Sequence, residues 1–245
     1  MPIKFKTSVS SVNDGEEIIR GEKLSDLIKT KNFGEVVFLI LKGNLPNSKE
    51  AKMINAVLSS MIDHGPGANS ALAARIVGSA GNTLHTAVAA GILSLGGSRH
   101  GGALEGAAKF FQENVKIPDL PVLLRSLKEK KIRVPGFGHK VLTHDNRTDT
   151  LFAVAKETGF FGEHCAFALA VDAELNKISS KAVPLNMDGA NGAILSDMGF
   201  PWQLVLGFFI IGRAPGLVAQ VYEEMNSDEG IRRLEESEVE YVGKD

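Results

Sequence analysis

The chain has 245 residues, enough to bury a sizeable core as one large domain or two small ones. Its 44% hydrophobic and 23% charged residues, formal net charge of -2 and pI near 6.3 are those of a soluble globular protein. That balance gives no electrostatic basis for binding nucleic acid or an acidic membrane surface, and the basic group Lys128, Lys130, Lys131 and Arg133 is local.

A single cysteine, Cys165, excludes an intrachain disulfide and fits a reducing compartment. The opening text MPIKFKTSVSSVNDGEE has no signal-peptide hydrophobic run, and the longest apolar stretch, Leu204 to Ile211, is too short to span a bilayer. A cytoplasmic protein is expected.

Residues 1–17 are polar and read as an irregular lead-in or a short hairpin. From Ile18 the text turns helical, with a short amphipathic segment from Glu22 to Ile28. Phe33 to Lys42 (FGEVVFLILK) suits a strand by composition, but Gly43 and Pro46 behind it are helix stop signals and predict a helix. Asn47 with Glu50 three residues on is a capping-box pattern that opens a helix with Ala51, Ile54, Leu58 and Met61 on its apolar face.

The turn DHGPGANSA follows, around His64, then two small-residue helices at Ala71 to Ala80 and Asn82 to Leu95. Their Ala and Gly content permits close helix–helix approach. GGSRHGG breaks the pattern at His100, and Ala103 to Asn114 resumes it. Pro121 to Lys130 is a short amphipathic helix leading into KIRVPGFGHKVLTHDNR, the stretch from Lys131 to Arg147. Further helices are predicted from Arg147 to about Thr158, Glu163 to Ile178, Asp188 to Met198 and Pro201 to Glu224, before a charged tail. There is no βαβ alternation and no internal repeat, so the fold class is all-α.

Three of the six histidines, His64, His100 and His139, lie beside glycine at predicted breaks between helices. Each alone reads equally as a turn residue; three together point to a site. His85 and His164 fall in helices and read as structural. No HExxH, CxxC or helical His pair four apart is present, so no metal site is indicated. Asp188 reads either as the N-cap of its helix, worth about 1 kcal/mol, or as an acid–base group. Arg213 follows a largely apolar run and needs an anionic partner, whether a buried salt bridge or a ligand. The glycines at 136 and 138 match neither a P-loop nor a dinucleotide fingerprint, so ATP and NAD are not indicated.

Taken in order, RHGGALEGA, VPGFGHKVL with Arg147, NMDGANGAIL and IIGRAPGLVAQ resemble the signature segments of the citrate synthase superfamily. The resemblance runs from about Ile18 to Tyr241. Only sixteen residues separate Pro46 from Asp63, where citrate synthases carry a long helical insertion. DHGPGAN and HGGALEGAAKFF are closer to citryl-CoA lyases and to the C-terminal citryl-CoA lyase module of ATP-citrate lyase. That module does not keep histidine where His100 stands, whereas citrate synthases do.

The resemblance implies a compact citrate synthase-like domain over residues 18–245, with a large helical part and a smaller coenzyme A-binding helical part at about 120–185. It implies cleavage of citryl-CoA to acetyl-CoA and oxaloacetate through an acetyl-CoA enolate, with Asp188, His100 and His139 catalytic. His64, Arg147, Arg213, Arg233 and Phe209 would bind the substrate, Arg233 reaching across a subunit interface. Val134, Pro135, Gly136, Phe137 and Gly138 would hold coenzyme A, with Lys177 and Lys181 available for its phosphates. No permanently bound cofactor is implied, since coenzyme A enters as the substrate thioester. A homodimer or larger homo-oligomer is expected. The alternatives are a compact citrate synthase running the condensation, a relative acting on another 3-hydroxy-3-carboxyacyl-CoA, and a non-catalytic CoA-ester-binding protein.

Overall fold

A computed structural model describes residues 4–138 and 145–244. The chain opens with an antiparallel meander of three short strands, β1 (Ser10–Asn13), β2 (Glu16–Ile19) and β3 (Glu22–Lys23). Ser10 faces Ile19 in the first pair and Ile18 faces Lys23 in the second. Both turns are two residues long with positive φ throughout, Asp14-Gly15 and Arg20-Gly21. This is the turn geometry that matches strand twist. Of the two readings of the lead-in, the hairpin is the one observed, and the helical text expected from Ile18 begins only at Leu24. Arg20 fastens the meander to the body, its guanidinium donating twice to the Ile40 carbonyl at 3.0 and 3.1 Å.

Eleven helices follow among the described residues. The first three are α1 (Leu24–Thr30), α2 (Phe33–Lys42) and α3 (Ser48–Ser60). The ambiguous run at Phe33 is helical because both ends are capped: Asn32 and Glu35 close a capping box, and Gly43 takes the left-handed conformation at φ 99°. Asn47 and Glu50 form the box expected for α3. This helix alone fills the interval from Pro46 to Asp63, and it buries Met53, Ile54, Val57 and Leu58.

Next come α4 (Asn69–Ser79), α5 (Leu84–Leu95), α6 (Gly102–Asn114), α7 (Leu120–Glu129), α8 (Asn146–Thr158), α9 (Glu163–Ile178), α10 (Met187–Asp197) and α11 (Trp202–Met225). The architecture is all-α apart from the small meander. Helix α11 is the centre of the fold, touching α3, α4, α5 and α6. By length and apolar composition it resembles a membrane span. Its buried Arg213 and Glu224, together with Phe208, Phe209 and Leu217, mark it as a core helix. Small residues let its neighbours close in: a Cβ on Gly91 of α5 would lie 3.0 Å from the Ser70 carbonyl and 3.1 Å from both Ala74 and Leu217.

The alanines of α6 pack inside the chain. Ala107 and Ala108 are fully buried, and α6 lies against α10, where a Cβ on Gly192 would meet the Ala108 nitrogen at 3.0 Å. A second, smaller hydrophobic cluster joins Leu124 of α7, Val171 of α9 and Val134, with Phe167, Leu175 and Ile178 around them. The tail beyond α11 is mostly exposed and carries a short 3-10 turn at Glu236–Glu238.

Candidate active site

Loops between helices place the polar groups. The α3–α4 loop carries Asp63 and His64, the α5–α6 loop carries His100, and the VPGFG segment runs alongside the lead-in to α10. Glycine is required where that segment meets the helix. Gly136 has φ +83°, and a Cβ there would stand 2.6 Å from the Gly189 Cα; a Cβ on Gly189 would stand 2.4 Å from the Gly136 carbonyl oxygen. The contact is sealed by backbone bonds: Asn186 N–H donates to Gly136 O at 3.0 Å, and Gly138 N–H to Pro184 O at 2.7 Å. The Asn186 side chain donates to Gly138 O at 3.0 Å and accepts from the Asp188 and Gly189 amides.

Asn186 is therefore the N-cap of α10, and the capping reading of Asp188 is overturned. Asp188 stands in the first helical turn, where the helix dipole favours a carboxylate. Burial outweighs it and pushes its pKa up to about 6. The charges of Arg147 and Arg213 pull it back, while that of Asp145 adds to the rise. A carboxyl so placed can give or take a proton near neutral pH.

His100 is half-buried, its Nε2 2.8 Å from the hydroxyl of buried Ser70 and its ring edge-on to Phe209 at 5.7 Å. Burial lowers its pKa, and the nearby Arg213 and His64 lower it further, so the imidazole is neutral. A neutral ring with one nitrogen tied to Ser70 presents its other nitrogen to a ligand. Phe209 is both core and site. It is 3% exposed, and the Arg213 guanidinium lies over its ring at 5.0 Å.

Arg213 is 2% exposed. Its Nε donates to Met61 O at 2.7 Å, while its Nη1 is buried without a hydrogen-bond partner among the described residues. Burial lowers its pKa, and Asp63 and Asp188 partly restore it. A buried guanidinium with an open donor is costly unless an anion completes it. Arg147, the second residue of α8, is held by both oxygens of Asp145, Nε to Oδ1 at 2.9 Å and Nη2 to Oδ2 at 2.8 Å. Its Nη1 donates to His64 Nδ1 at 3.3 Å, which leaves the proton of a neutral His64 on Nε2.

The structure thus gathers His64, His100, Arg147, Asp188, Arg213 and Phe209 into one cluster. His139 lies outside the described residues. Arg233 is exposed in the tail, and among the described residues it is not joined to the cluster. In the VPGFG segment, Val134 and Gly136 are buried, and Gly136 and Gly138 commit backbone groups to the α10 lead-in, so Pro135 and Phe137 offer the accessible edge. Lys177 is exposed and paired with Glu174 at 3.1 Å. Lys181 is exposed two residues before Val183, which faces Gly138. Among the described residues no group of three or more His, Cys, Asp or Glu is arranged to hold a metal.

Three members were missed in the sequence: Asp145, Ser70 and Asp63. Asp145 sits directly before α8, a detectable N-cap position, but its 2% exposure and its grip on Arg147 arise only in three dimensions. Ser70 carries no local signal. Asp63 is adjacent to His64 in sequence, and its Oδ1 is buried without a partner among the described residues.

Comparison with known proteins agrees with this geometry. The citrate synthase C-terminal domain model matches residues 47–234. Citryl-CoA lyase from Hydrogenobacter thermophilus is 46% identical, with a TM-score of 0.91 over 98% of this chain and 95% of that one. ATP citrate lyase from Methanothrix soehngenii, solved with citrate and coenzyme A, is 27% identical with a TM-score of 0.89, over 100% of this chain and 42% of that one. Citrate synthase 2 of Bacillus subtilis is 28% identical over 84% of this chain and 54% of its own length. The chain spans about half the length of the curated relatives it matches, 54% and 44% for the first two. A match across most of the chain, on an all-α fold that brings the signature segments to one place, means that the chain belongs to the citrate synthase family.

Proposed function

We propose that the protein is a citryl-CoA lyase, cleaving citryl-CoA to acetyl-CoA and oxaloacetate. The observation that carries the reading is the Asp188 carboxyl, raised to about 6 beside two guanidinium groups, one of them with an open donor. The 46% identity to the Hydrogenobacter lyase along nearly its whole length supports it.

In cleavage the bond between the thioester-bearing CH2 and the tertiary carbinol carbon breaks. The hydroxyl gives up its proton, to His139 in this reading, and becomes the ketone of oxaloacetate. The electron pair passes into the thioester as an enolate, whose oxygen receives a hydrogen bond from neutral His100. Asp188 then protonates the enolate carbon to give acetyl-CoA. Arg147, Arg213 and His64 hold the carboxylates, Asp145 keeping Arg147 in place. Coenzyme A lies along the Val134–Gly138 segment, with Lys177 and Lys181 reaching its phosphates. The smaller cluster of α7 and α9 forms the coenzyme A-binding part.

The outer faces of α4, α5 and α11 expose Leu72, Ile76, Leu93, Val218 and Tyr222, and these form the contact of a homodimer in which Arg233 reaches the partner's site. The buried lone thiol of Cys165 fits a cytoplasmic location.

The test is incubation with citryl-CoA while oxaloacetate is reduced by malate dehydrogenase and NADH. Loss of NADH absorbance is expected, and a folded protein that releases no oxaloacetate overturns the reading. The condensation of acetyl-CoA with oxaloacetate is the second reading, favoured by His100 and by the likeness to the Bacillus synthase. An enzyme of that kind would release free thiol from acetyl-CoA and oxaloacetate faster than it cleaves citryl-CoA.

A further inference from the structure

The C-terminal end of α11 holds a buried carboxylate that the chemistry above does not use. Glu224 is 3% exposed and is gripped from two sides. Arg75 of α4 donates from Nε to Oε2 at 2.7 Å, and Arg232 of the tail donates from Nε to Oε1 at 2.6 Å. The tail is further pinned where the Arg232 amide donates to the Ser79 hydroxyl at 2.9 Å. Each partner stabilises the other's charge: the two arginines lower the Glu224 pKa, and Glu224 with Glu223 raises that of Arg75.

The cluster does not stop there. Arg75 Nη1 also donates to the Gln220 side-chain Oε1 at 2.8 Å and to Glu223 Oε1 at 2.9 Å, and Gln220 Nε2 donates to Asp63 Oδ2 at 3.1 Å. That oxygen also accepts from the Gly65 amide at 3.0 Å, so Gln220 and the loop backbone together fix the Asp63 carboxylate. Asp63 in turn acts on Arg213, and the two carry buried atoms with no hydrogen-bond partner among the described residues, Oδ1 and Nη1. The hydrogen bonds form one unbroken path: tail Arg232, Glu224, Arg75, Gln220, Asp63. It ends on the loop that also carries His64.

We propose that Gln220 and the Glu224 ion-pair cluster are positioning residues, a relay by which docking of the C-terminal tail sets the Asp63–His64 loop and thereby the site's affinity for its carboxylate ligand. The proposal rests on the carboxylate-binding reading of Arg213, His64 and Arg147. When Arg232 is lost, Glu224 keeps Arg75 as its sole cation. Arg75 then moves toward it, loosening its hold on Gln220, and Gln220 no longer fixes Asp63. Gln220 is the narrowest point of the path, since its amide spans the two charged groups with one donor and one acceptor.

The experiment is a double-mutant cycle with Arg232→Ala and Gln220→Leu in the full chain. Citryl-CoA cleavage and the amide exchange of Gly65 are both measured. Each single variant is expected to raise KM about threefold to tenfold with kcat little changed, and to speed exchange at Gly65. The double variant is expected to be no worse than the poorer single one, because either change already breaks the path. Fold-changes in KM that multiply in the double variant overturn the relay. So does unchanged exchange at Gly65 in Arg232→Ala when limited proteolysis shows the tail released. If the wild-type chain does not cleave citryl-CoA, the lyase reading fails, while the exchange measurement still decides the relay.

Discussion

At the scale of single residues, the site depends on burial working against charge. Asp188 keeps a proton to about pH 6 because desolvation exceeds the pull of two arginines. Cleavage uses the acid form, so its rate is expected to fall as pH rises through about 6, while condensation rises over the same range. Asp188→Asn should lower turnover by about 100-fold or more in either direction with the fold intact by circular dichroism. Near-normal turnover in a folded variant would remove Asp188 from the chemistry. The same shift affects stability. The folded-state pKa lies above the ordinary 3.8, so the bound proton's stabilising contribution is full below 3.8 and lost as pH rises through about 6. Asn carries no such charge, so denaturant unfolding at pH 7.5 should find the variant more stable, on the order of 1–3 kcal/mol. For His100, replacement by Phe is expected to leave KM within a few-fold and lower kcat about 100-fold, since the lost donor acts where enolate charge develops. Unchanged kcat would place that stabilisation elsewhere.

At the scale of elements, the decisive contact is between the VPGFG segment and the first turn of α10. Two glycines approach so closely that neither can carry a side chain without displacing the other strand of the contact. Gly189→Ala is a discriminating change, because within a helix alanine is favoured over glycine by about 1 kcal/mol. A Cβ 2.4 Å from the Gly136 oxygen reverses that preference. We expect thermal unfolding to show destabilisation of about 2 kcal/mol and citryl-CoA turnover to drop, since Asp188 is the neighbouring residue. A variant as stable and active as the parent would mean that the segment yields freely.

At the scale of the whole molecule, the unused apolar faces of α4, α5 and α11 set the expectation for assembly. Light scattering should give at least twice the 26.2 kDa of one chain. Ile76→Glu, on the exposed side of α4, should shift the protein toward monomer and lower activity together, as a site completed by the partner's Arg233 requires. An active monomer would remove that role from Arg233.

Much of the fold was legible because the signals were local. The capping box at Asn47, glycine after Lys42 and helical spacing in α3 each act within a few residues, whereas α9 buries Cys165, Ala168 and Val171 and leaves the alanines of its opposite face exposed. Site residues flanked by glycine, such as His64 and His100, could be picked out because the chain must break to present them. The sequence could not show that Asn186, not Asp188, caps α10. It could not show that Asp145 fixes Arg147, that Ser70 meets His100 from thirty residues away, or that Gln220 reaches Asp63. Those are choices of tertiary packing, since they depend on which side chains share a buried space. The residues by themselves determined the family, the fold class and most of the chemical kit. Only the tertiary structure decided which charges are buried together, and desolvation in that shared space is what raises Asp188, neutralises His100 and leaves Arg213 open to an anion.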